Sequence, residues 1–137
     1  MLNYFQERFG IVLGAFEGFM LLERPQAYWL LTLSPHAFNL GKLRIHTAGI
    51  PVLRRIKNFL KPTTTALQTF GKNATRNVVQ CDKHQLARLL KGHGVYTNLS
   101  IEPGYVVLCH GDHILGCGLY TGRVLLSQIP RSFLPRR

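Results

Sequence analysis

The last third of the chain has a pattern typical of antiparallel β-strands. Three apolar runs, GYVVLCH, HILGCGLY and RVLLSQI, are separated by the turn dipeptides Gly111-Asp112 and Thr121-Gly122. Short β-favouring runs bounded by such turns predict a three-stranded meander. Gly116 and Gly118 lie on one face of the second strand. Because they lack side chains, they predict a place where a neighbouring backbone comes close, as closure of a small barrel requires.

Upstream of the meander, the sequence predicts short helices and strands in alternation. Asp82 is expected to cap a helix with a leucine stripe that Gly92 ends. The chain is expected to begin with two short helices over 3–18, the first capped by Asn3, followed by a hairpin formed by MLLER and AYWLLTLS and a helical turn at Ser34-Pro35. Two strands over 42–56 come next, with a break between them at Gly-Ile-Pro. A helix over 61–70, ended by a left-handed Gly71, and a strand at 78–81 complete this part. This order predicts an α+β fold with a small, partly closed barrel.

Charge is the strongest compositional signal. Seventeen Lys and Arg face six acids, which gives a formal net charge of +11. Between Glu23 and Asp82 there is no acid, so these cations cannot form a salt-bridged surface with carboxylates near them in the sequence. Self-repulsion on this scale destabilises a compact state unless a polyanion binds. The charge therefore favours a nucleic-acid partner, the alternative being a generic basic surface.

The segment KPTTTALQTFGKNATRNVV at 61–79 combines positive charge with many hydrogen-bond donors. Leu67 and Phe70 are expected to bury one side of its helix, which leaves polar side chains on the other. Cations would neutralise phosphates there, while Thr, Asn and Gln would contact phosphate, sugar or base edges. The alternative is that the threonines cap the helix and the cations are solvated. The predicted RNA-binding residues are Lys61, Thr63, Thr64, Gln68, Lys72, Asn73, Arg76, Arg131 and Arg136.

Other chemistries find little support. The three cysteines form no CxxC pair, and their odd number predicts reduced thiols in a cytoplasmic protein rather than a disulfide framework. Cys109, His110, Asp112 and His113 match no zinc spacing, so no metal is expected. Six scattered acids leave little for acid–base catalysis. No apolar run approaches the ~20 residues of a membrane span. Tyr28, Trp29 and Tyr105 are either packing residues or platforms for unpaired bases.

Several of these stretches resemble the PUA domain family of RNA-binding modules. The resemblance lies in the D-x-x-x-L-x-x-L-L-x-G step from Asp82 to Gly92, in GYVVL and in ILGCGLY. KPTTTALQTFGKNATRNVV, ILGCGLYTGRVLLSQIPR and FQERFGI are further similar to the PUA-like C-terminal region of RsmF-type and archaeal NOL1/NOP2/Sun RNA cytosine-5 methyltransferases. In a PUA fold, the resemblance implies that the helix after the first strand faces the RNA.

The resemblance implies a short N-terminal α/β subdomain at 1–40 and a PUA-like pseudo-barrel of mixed strands with short helices at 41–137. It does not extend to catalysis, because the sequence contains no Pro-Cys pair and no glycine-rich cofactor turn. We therefore expect a monomeric, non-catalytic protein without a cofactor that docks ribosomal or transfer RNA, in RNA modification or ribosome biogenesis. The alternatives are a targeting subunit that binds a separately encoded RNA methyltransferase and, third, a small-ligand enzyme.

Overall fold

The protein is described by a computed structural model covering residues 2–32 and 49–134. Its helices are α1 (Asn3–Phe9), α2 (Thr64–Phe70) and α3 (Lys83–Leu90), with 3-10 turns at Leu13–Phe16, Gly71–Asn73 and Arg131–Phe133. Its strands are β1 (Phe19–Glu23), β2 (Ala27–Thr32), β3 (Gly49–Ile56), β4 (Phe59–Pro62), β5 (Val78–Gln80), β6 (Val95–Tyr96), β7 (Gly104–His110), β8 (His113–Tyr120) and β9 (Val124–Ser127). The α+β class predicted from the sequence is confirmed.

The first sheet is antiparallel and has the order β1-β2-β3-β4. The predicted β1–β2 hairpin is confirmed, but the predicted break at Gly-Ile-Pro is wrong, since β3 runs through Pro51. The sheet accommodates this proline beside a bulge, where Tyr28 pairs with Leu53 and Trp29 with Pro51. The β3–β4 hairpin was not predicted, and it takes the residues assigned to the start of the helix. The Ser34-Pro35 turn and the strand from 42 to 48 lie outside the described residues.

The second sheet has the order β5-β7-β8-β9-β6. The predicted meander forms β7, β8 and β9 in antiparallel register, with Val106 opposite Gly118 and Gly118 opposite Ser127. Two pairings were not predicted: β5 adds to β7 in parallel, and β6 forms the other edge beside β9. The resulting curled sheet is a PUA-like pseudo-barrel, with α2 lying against β8.

Gly116 and Gly118 are required by close packing, as the sequence predicts, but the atoms that approach them belong to side chains and not to a neighbouring backbone. Gly116 has φ +148°, and a β-carbon built on it would lie 2.5 Å from Thr64 Cγ2. A β-carbon at Gly118 would lie 2.8 Å from the side chain of Leu108. Both contacts are far shorter than van der Waals distance. Gly116 therefore lets Thr64 of α2 pack directly on β8, and Gly118 leaves room for the side chain of Leu108.

The main core joins the N-terminal residues to the second sheet. Phe5, Phe9 and Phe16 are buried in the same cluster as Val107 and Cys117. A smaller cluster lies under α3, where Leu89 is the buried member of the predicted leucine stripe. The predicted division at residue 40 stays a prediction, because it falls within residues 33–48, outside the described residues.

Two helix ends differ from expectation. Leu2 rather than Asn3 occupies the N-cap of α1, and no side chain caps that end. Gly71 is right-handed with φ −64°, because the chain continues into a 3-10 turn instead of stopping at a left-handed residue. By contrast, Asp82 and Gln85 form the complete capping box of α3, and Gly92 follows the helix with φ +84°.

Candidate nucleic-acid interface

Helix α2 is held at its first turn by two threonines. Thr63 is its N-cap: the hydroxyl oxygen accepts a hydrogen bond from the Ala66 N–H at 3.0 Å and donates one to the Pro51 carbonyl at 2.6 Å. Thr64 is 3% exposed, and its hydroxyl oxygen accepts a hydrogen bond from the Cys117 N–H at 3.2 Å. Both hydroxyls thus bond to the protein itself, and both residues position the helix on the barrel.

From that anchored turn, α2 runs along β8 and presents polar side chains at its edge. Gln68 Nε2 donates to the Leu115 carbonyl at 3.0 Å, and Gly71 lies against Ile114. The next two residues, Lys72 and Asn73, are exposed on the 3-10 turn that extends the helix. We call the polar side chains of Lys61, Gln68, Lys72 and Asn73 the α2 ridge.

The segment after β9 lies beside the start of this ridge. Lys61 Nζ donates to Gln128 Oε1 at 2.8 Å, although 67 residues separate the two. Ile129 approaches Gly116, the same glycine that Thr64 crosses. These contacts place Gln128 and Ile129 alongside the N-terminus of α2. Arg131 follows in an exposed 3-10 turn.

The cations of this surface are not neutralised by nearby carboxylates. Among residues 2–32 and 49–134, the one ion pair within 4.0 Å joins Arg55 to Glu23 at 3.5 Å, on the first sheet. Lys61, Lys72 and Arg131 therefore have no carboxylate partner in the described part of the chain. Because these positive charges are not paired with carboxylates, they are available to an anionic ligand.

Arg76 follows the α2 ridge in the chain and contacts α1. Its guanidinium donates to the Gln6 carbonyl at 2.5 Å, and its backbone N–H donates to the Phe9 carbonyl at 3.1 Å. Both acceptors belong to α1, so Arg76 joins the segment before β5 to that helix. Arg136 lies outside the described residues.

The exposed aromatic side chains are not those that the sequence singled out. Tyr28 is buried, and Arg55 stacks over its ring at 5.1 Å, while Trp29 and Tyr105 are half-buried. Instead Tyr96 is 80% exposed on the edge strand β6, and Phe133 is 47% exposed two residues after Arg131. Alternation on a strand could have revealed Tyr96, since its neighbour Val95 is buried. Phe133 had no comparable signal.

The three cysteines are unpaired and buried. Burial raises the pKa of Cys81 to about 11 and that of Cys117 to about 12, and it also raises the pKa of Cys109. All three are therefore neutral thiols at physiological pH, which makes them poor nucleophiles and poor metal ligands.

No group of three or more His, Cys, Asp or Glu side chains in the described residues is arranged to hold a metal ion. His110 instead makes a 2.7 Å hydrogen bond through Nδ1 with the Cys81 carbonyl. None of the helices in the described part is long and apolar enough to cross a membrane.

The second sheet, with α2 lying against β8, forms the PUA-like pseudo-barrel, and the cations Lys61 and Lys72 lie just before and just after that helix. Residues 76–134 match the family model described as the methyltransferase RsmF PUA domain. The match covers β5 to the last 3-10 turn, which includes the whole second sheet. The family resemblance predicted from the sequence is confirmed.

Curated relatives extend the similarity over nearly the whole chain. It is 26% identical over 136 residues to the ribosomal RNA small subunit methyltransferase F of Aeromonas salmonicida, covering 98% of this chain and 27% of that protein. The methyltransferases F of Shewanella putrefaciens and Shewanella oneidensis are 26% and 23% identical, each over 96% of this chain and 27% of the relative. The chain thus spans about a quarter of the length of the curated relatives it matches.

Proposed function

We propose that this chain is a cytoplasmic, monomeric RNA-binding module without catalytic activity of its own. It docks structured RNA, ribosomal or transfer, during RNA modification or ribosome biogenesis. Ribosomal RNA is the first candidate, because the relatives are named as ribosomal RNA methyltransferases and the matched family is their PUA domain. No cofactor is required for this role.

The observation that supports the proposal is the α2 ridge beside Gln128. Lys61 and Lys72 lie at the two ends of α2, the Lys61–Gln128 bond brings the chain that leads to Arg131 to the first of these ends, and none of the three cations has a carboxylate partner among the described residues. A net charge of +11 adds long-range attraction for a polyanion. Scattered, neutralised cations would have argued against this role.

The ridge offers distinct groups to the parts of an RNA chain. Lys72 and Arg131 are exposed and can neutralise phosphates, and Lys61 can exchange Gln128 for a phosphate oxygen. Asn73 and Gln68 carry amide groups that can bond sugar or base edges. Phe133 offers an aromatic face beside Arg131 on which an unpaired base can stack. Thr63 and Thr64 hold the helix that presents these groups.

The direct test is a filter-binding titration of the full chain against 16S ribosomal RNA fragments and transfer RNA over a series of salt concentrations. If about five phosphates are neutralised, the logarithm of the association constant falls with the logarithm of salt concentration with a slope of about −3 to −5. Salt-independent binding, or no binding at low salt, contradicts the proposal.

One observation favours a second candidate, a targeting subunit for a separately encoded RNA methyltransferase. Val12, Leu13, Met20 and Leu21 are 63%, 45%, 45% and 39% exposed, which is unusual for four large apolar side chains within ten residues. The aromatic rings of the same N-terminal segment do not contribute to this exposed patch, because Phe5, Phe9 and Phe16 are buried. Co-expression with such a methyltransferase tests this candidate, and loss of the complex in Met20→Ser with Leu21→Ser would support it.

A further inference from the structure

A polar cleft of about 480 Å³ lies between α1 and the loops that precede β5 and β7. Its lining residues are Tyr4, Glu7, Arg8, Arg76, Asn77 and Glu102. With the exception of Arg76, none was predicted as a site residue. None of these lining residues belongs to the α2 ridge.

Backbone carbonyls fix the Arg8 guanidinium in this cleft. Its Nε donates to the Tyr105 carbonyl at 2.7 Å and its Nη2 donates to the Glu102 carbonyl at 3.0 Å. A guanidinium has five N–H groups, so these bonds leave several donors unused. Because the planar group is already oriented, a ligand that binds it does not have to order the side chain.

The opposite wall is fixed in the same way. Arg76 bonds to the Gln6 carbonyl, and Asn77 Nδ2 donates to the Arg8 carbonyl at 2.5 Å. Asn77 has φ +58°, a left-handed conformation that is uncommon outside glycine and is held here by contacts on both sides. Burial raises the pKa of Tyr4, so its phenol stays protonated and can donate a hydrogen bond.

The charges of the cleft distinguish it from the ridge. Two guanidinium groups share it with the carboxylates of Glu7 and Glu102, and those carboxylates would repel a phosphate. A neutral ring can bind both kinds of charged side chain if it offers hydrogen-bond acceptors to arginine and donors to glutamate. Among the common bases, guanine and cytosine carry both an exocyclic amino group and a carbonyl, whereas adenine lacks the carbonyl and uracil lacks the amino group.

We infer that this cleft is a base-reading subsite that receives one unpaired guanine or cytosine of a bound RNA. The inference rests on the proposed RNA-binding function and adds base selectivity to it. Arg8 or Arg76 donates to the carbonyl, and Glu7 or Glu102 accepts from the amino group. The ridge holds the phosphates, while the cleft selects the base.

The test is a titration of the full chain with the four nucleoside 5′-monophosphates, followed by NMR of the backbone amides. Because the phosphate is common to all four, differences between them report the base. GMP, CMP or both are expected to shift the amides of Asn77 and Tyr105 with at least about fivefold tighter binding than AMP and UMP, as a good polar base contact provides. Equal affinities for all four overturn the inference.

Glu7→Gln and Glu102→Gln supply the second arm, with Glu17→Gln as the matched control. All three carboxylates are exposed, but Glu17 does not line the cleft. Replacing a carboxylate by an amide, which also donates, is expected to reduce the base preference about fivefold in at least one cleft variant and to leave the control unchanged. Unchanged preference in both cleft variants overturns the inference.

The two proposals can fail separately. If RNA binding keeps its steep salt dependence while the mononucleotides show no base preference, the cleft is only a structural junction and the RNA-binding function stands. If the mononucleotides are discriminated but long RNA does not bind, the RNA-binding function fails and the cleft remains a base site.

Discussion

The Thr64 hydroxyl accepts a hydrogen bond from the Cys117 backbone N–H at 3.2 Å, and this contact fixes where α2 crosses β8. Thr64→Val keeps the shape of the side chain but leaves a buried N–H without its partner. We expect a loss of about 1–3 kcal/mol in the free energy of unfolding, measured by urea denaturation. RNA affinity at low temperature should be unchanged, because the hydroxyl faces the barrel.

Thr69→Val is the matched control for that experiment. Thr69 is exposed on the same helix and bonds only to the Thr65 carbonyl one turn earlier. Its replacement is expected to change stability by less than about 0.5 kcal/mol, as for most surface substitutions. If both variants lost the same free energy of unfolding, the hydrogen bond of Thr64 to Cys117 would contribute no more than an exposed threonine does.

The double variant Lys72→Ala with Arg131→Ala tests whether the ridge carries phosphate contacts. Both side chains are exposed, so the fold should be intact by circular dichroism. Removing two phosphate contacts is expected to make the salt slope shallower by about 1.4–1.8 and to weaken binding of all RNA sequences alike. Lys83→Ala with Lys91→Ala, two exposed cations at the ends of α3, should leave the slope as it is in wild type.

Phe133→Ala tests base stacking beside Arg131. Loss of an aromatic platform weakens single-stranded binding by about 1–3 kcal/mol, which is about a five- to 150-fold change in Kd. Fluorescence anisotropy with a short unstructured RNA measures it. Phe59, which is 49% exposed against 47% for Phe133, provides the control on the β3–β4 hairpin. A Phe59→Ala variant that lost as much affinity would assign the effect to general apolar contact.

Gly116→Ala is expected to lower the thermal stability of the protein. The new methyl group would lie 2.5 Å from Thr64 Cγ2, and φ +148° is unfavourable for any residue with a β-carbon. Overpacking alone costs about 1–3 kcal/mol, so thermal melting should shift down by several degrees. Gly14→Ala is the control, because the nearest atom to its added methyl group is 3.9 Å away. A stable Gly116→Ala protein would mean that α2 can move off β8.

Stability should fall at alkaline pH. Burial raises the pKa of Cys117 from 9.0 to about 12 in the folded protein, so above pH 9 the unfolded chain releases a proton that the folded chain keeps. The unfolded state is therefore favoured as pH rises from 9 towards 12, by up to about 1.4 kcal/mol per pH unit for this thiol. Urea denaturation at pH 8, 9 and 10 measures the slope. Cys117→Ala should make it shallower, whatever it does to stability at pH 8.

Local signals accounted for most of the second sheet. The Gly111-Asp112 turn and the Asp82 cap depend on residues within a few positions, and the sequence predicted both; it also predicted close packing at Gly116 and Gly118, but not that Thr64 and Leu108 provide it. The β3–β4 hairpin was missed because its turn residues, Lys57 and Asn58, carry no glycine, although Lys57 adopts φ +54°. Pro51 predicted a break because the sequence does not show that a bulge next to it in β3 lets the strand continue.

The candidate site was less predictable, since it depends on contacts between distant segments. The sequence predicted Arg76 as an RNA-binding residue from its own segment and could not show its bond to Gln6, which spans 70 residues, or its place in the cleft wall. Arg8 was assigned no role, yet its bonds to Glu102 and Tyr105 span 94 and 97 residues. The residue types predicted a surface that binds an anionic partner. Which of these residues lie next to one another depends on the tertiary fold, which the sequence did not reveal.

The burial of Phe5, Phe9 and Phe16 beside Val107 and Cys117 constrains how this module can be transplanted. A recombinant fusion cut at residue 41 would remove three aromatic rings from the interior and would also delete Arg8, which ties α1 to the start of β7. Such a truncated insert should aggregate. A segment moved into a chimeric protein should therefore start before residue 3. A protein engineer should keep α1 and the 3-10 turn after it together with the barrel.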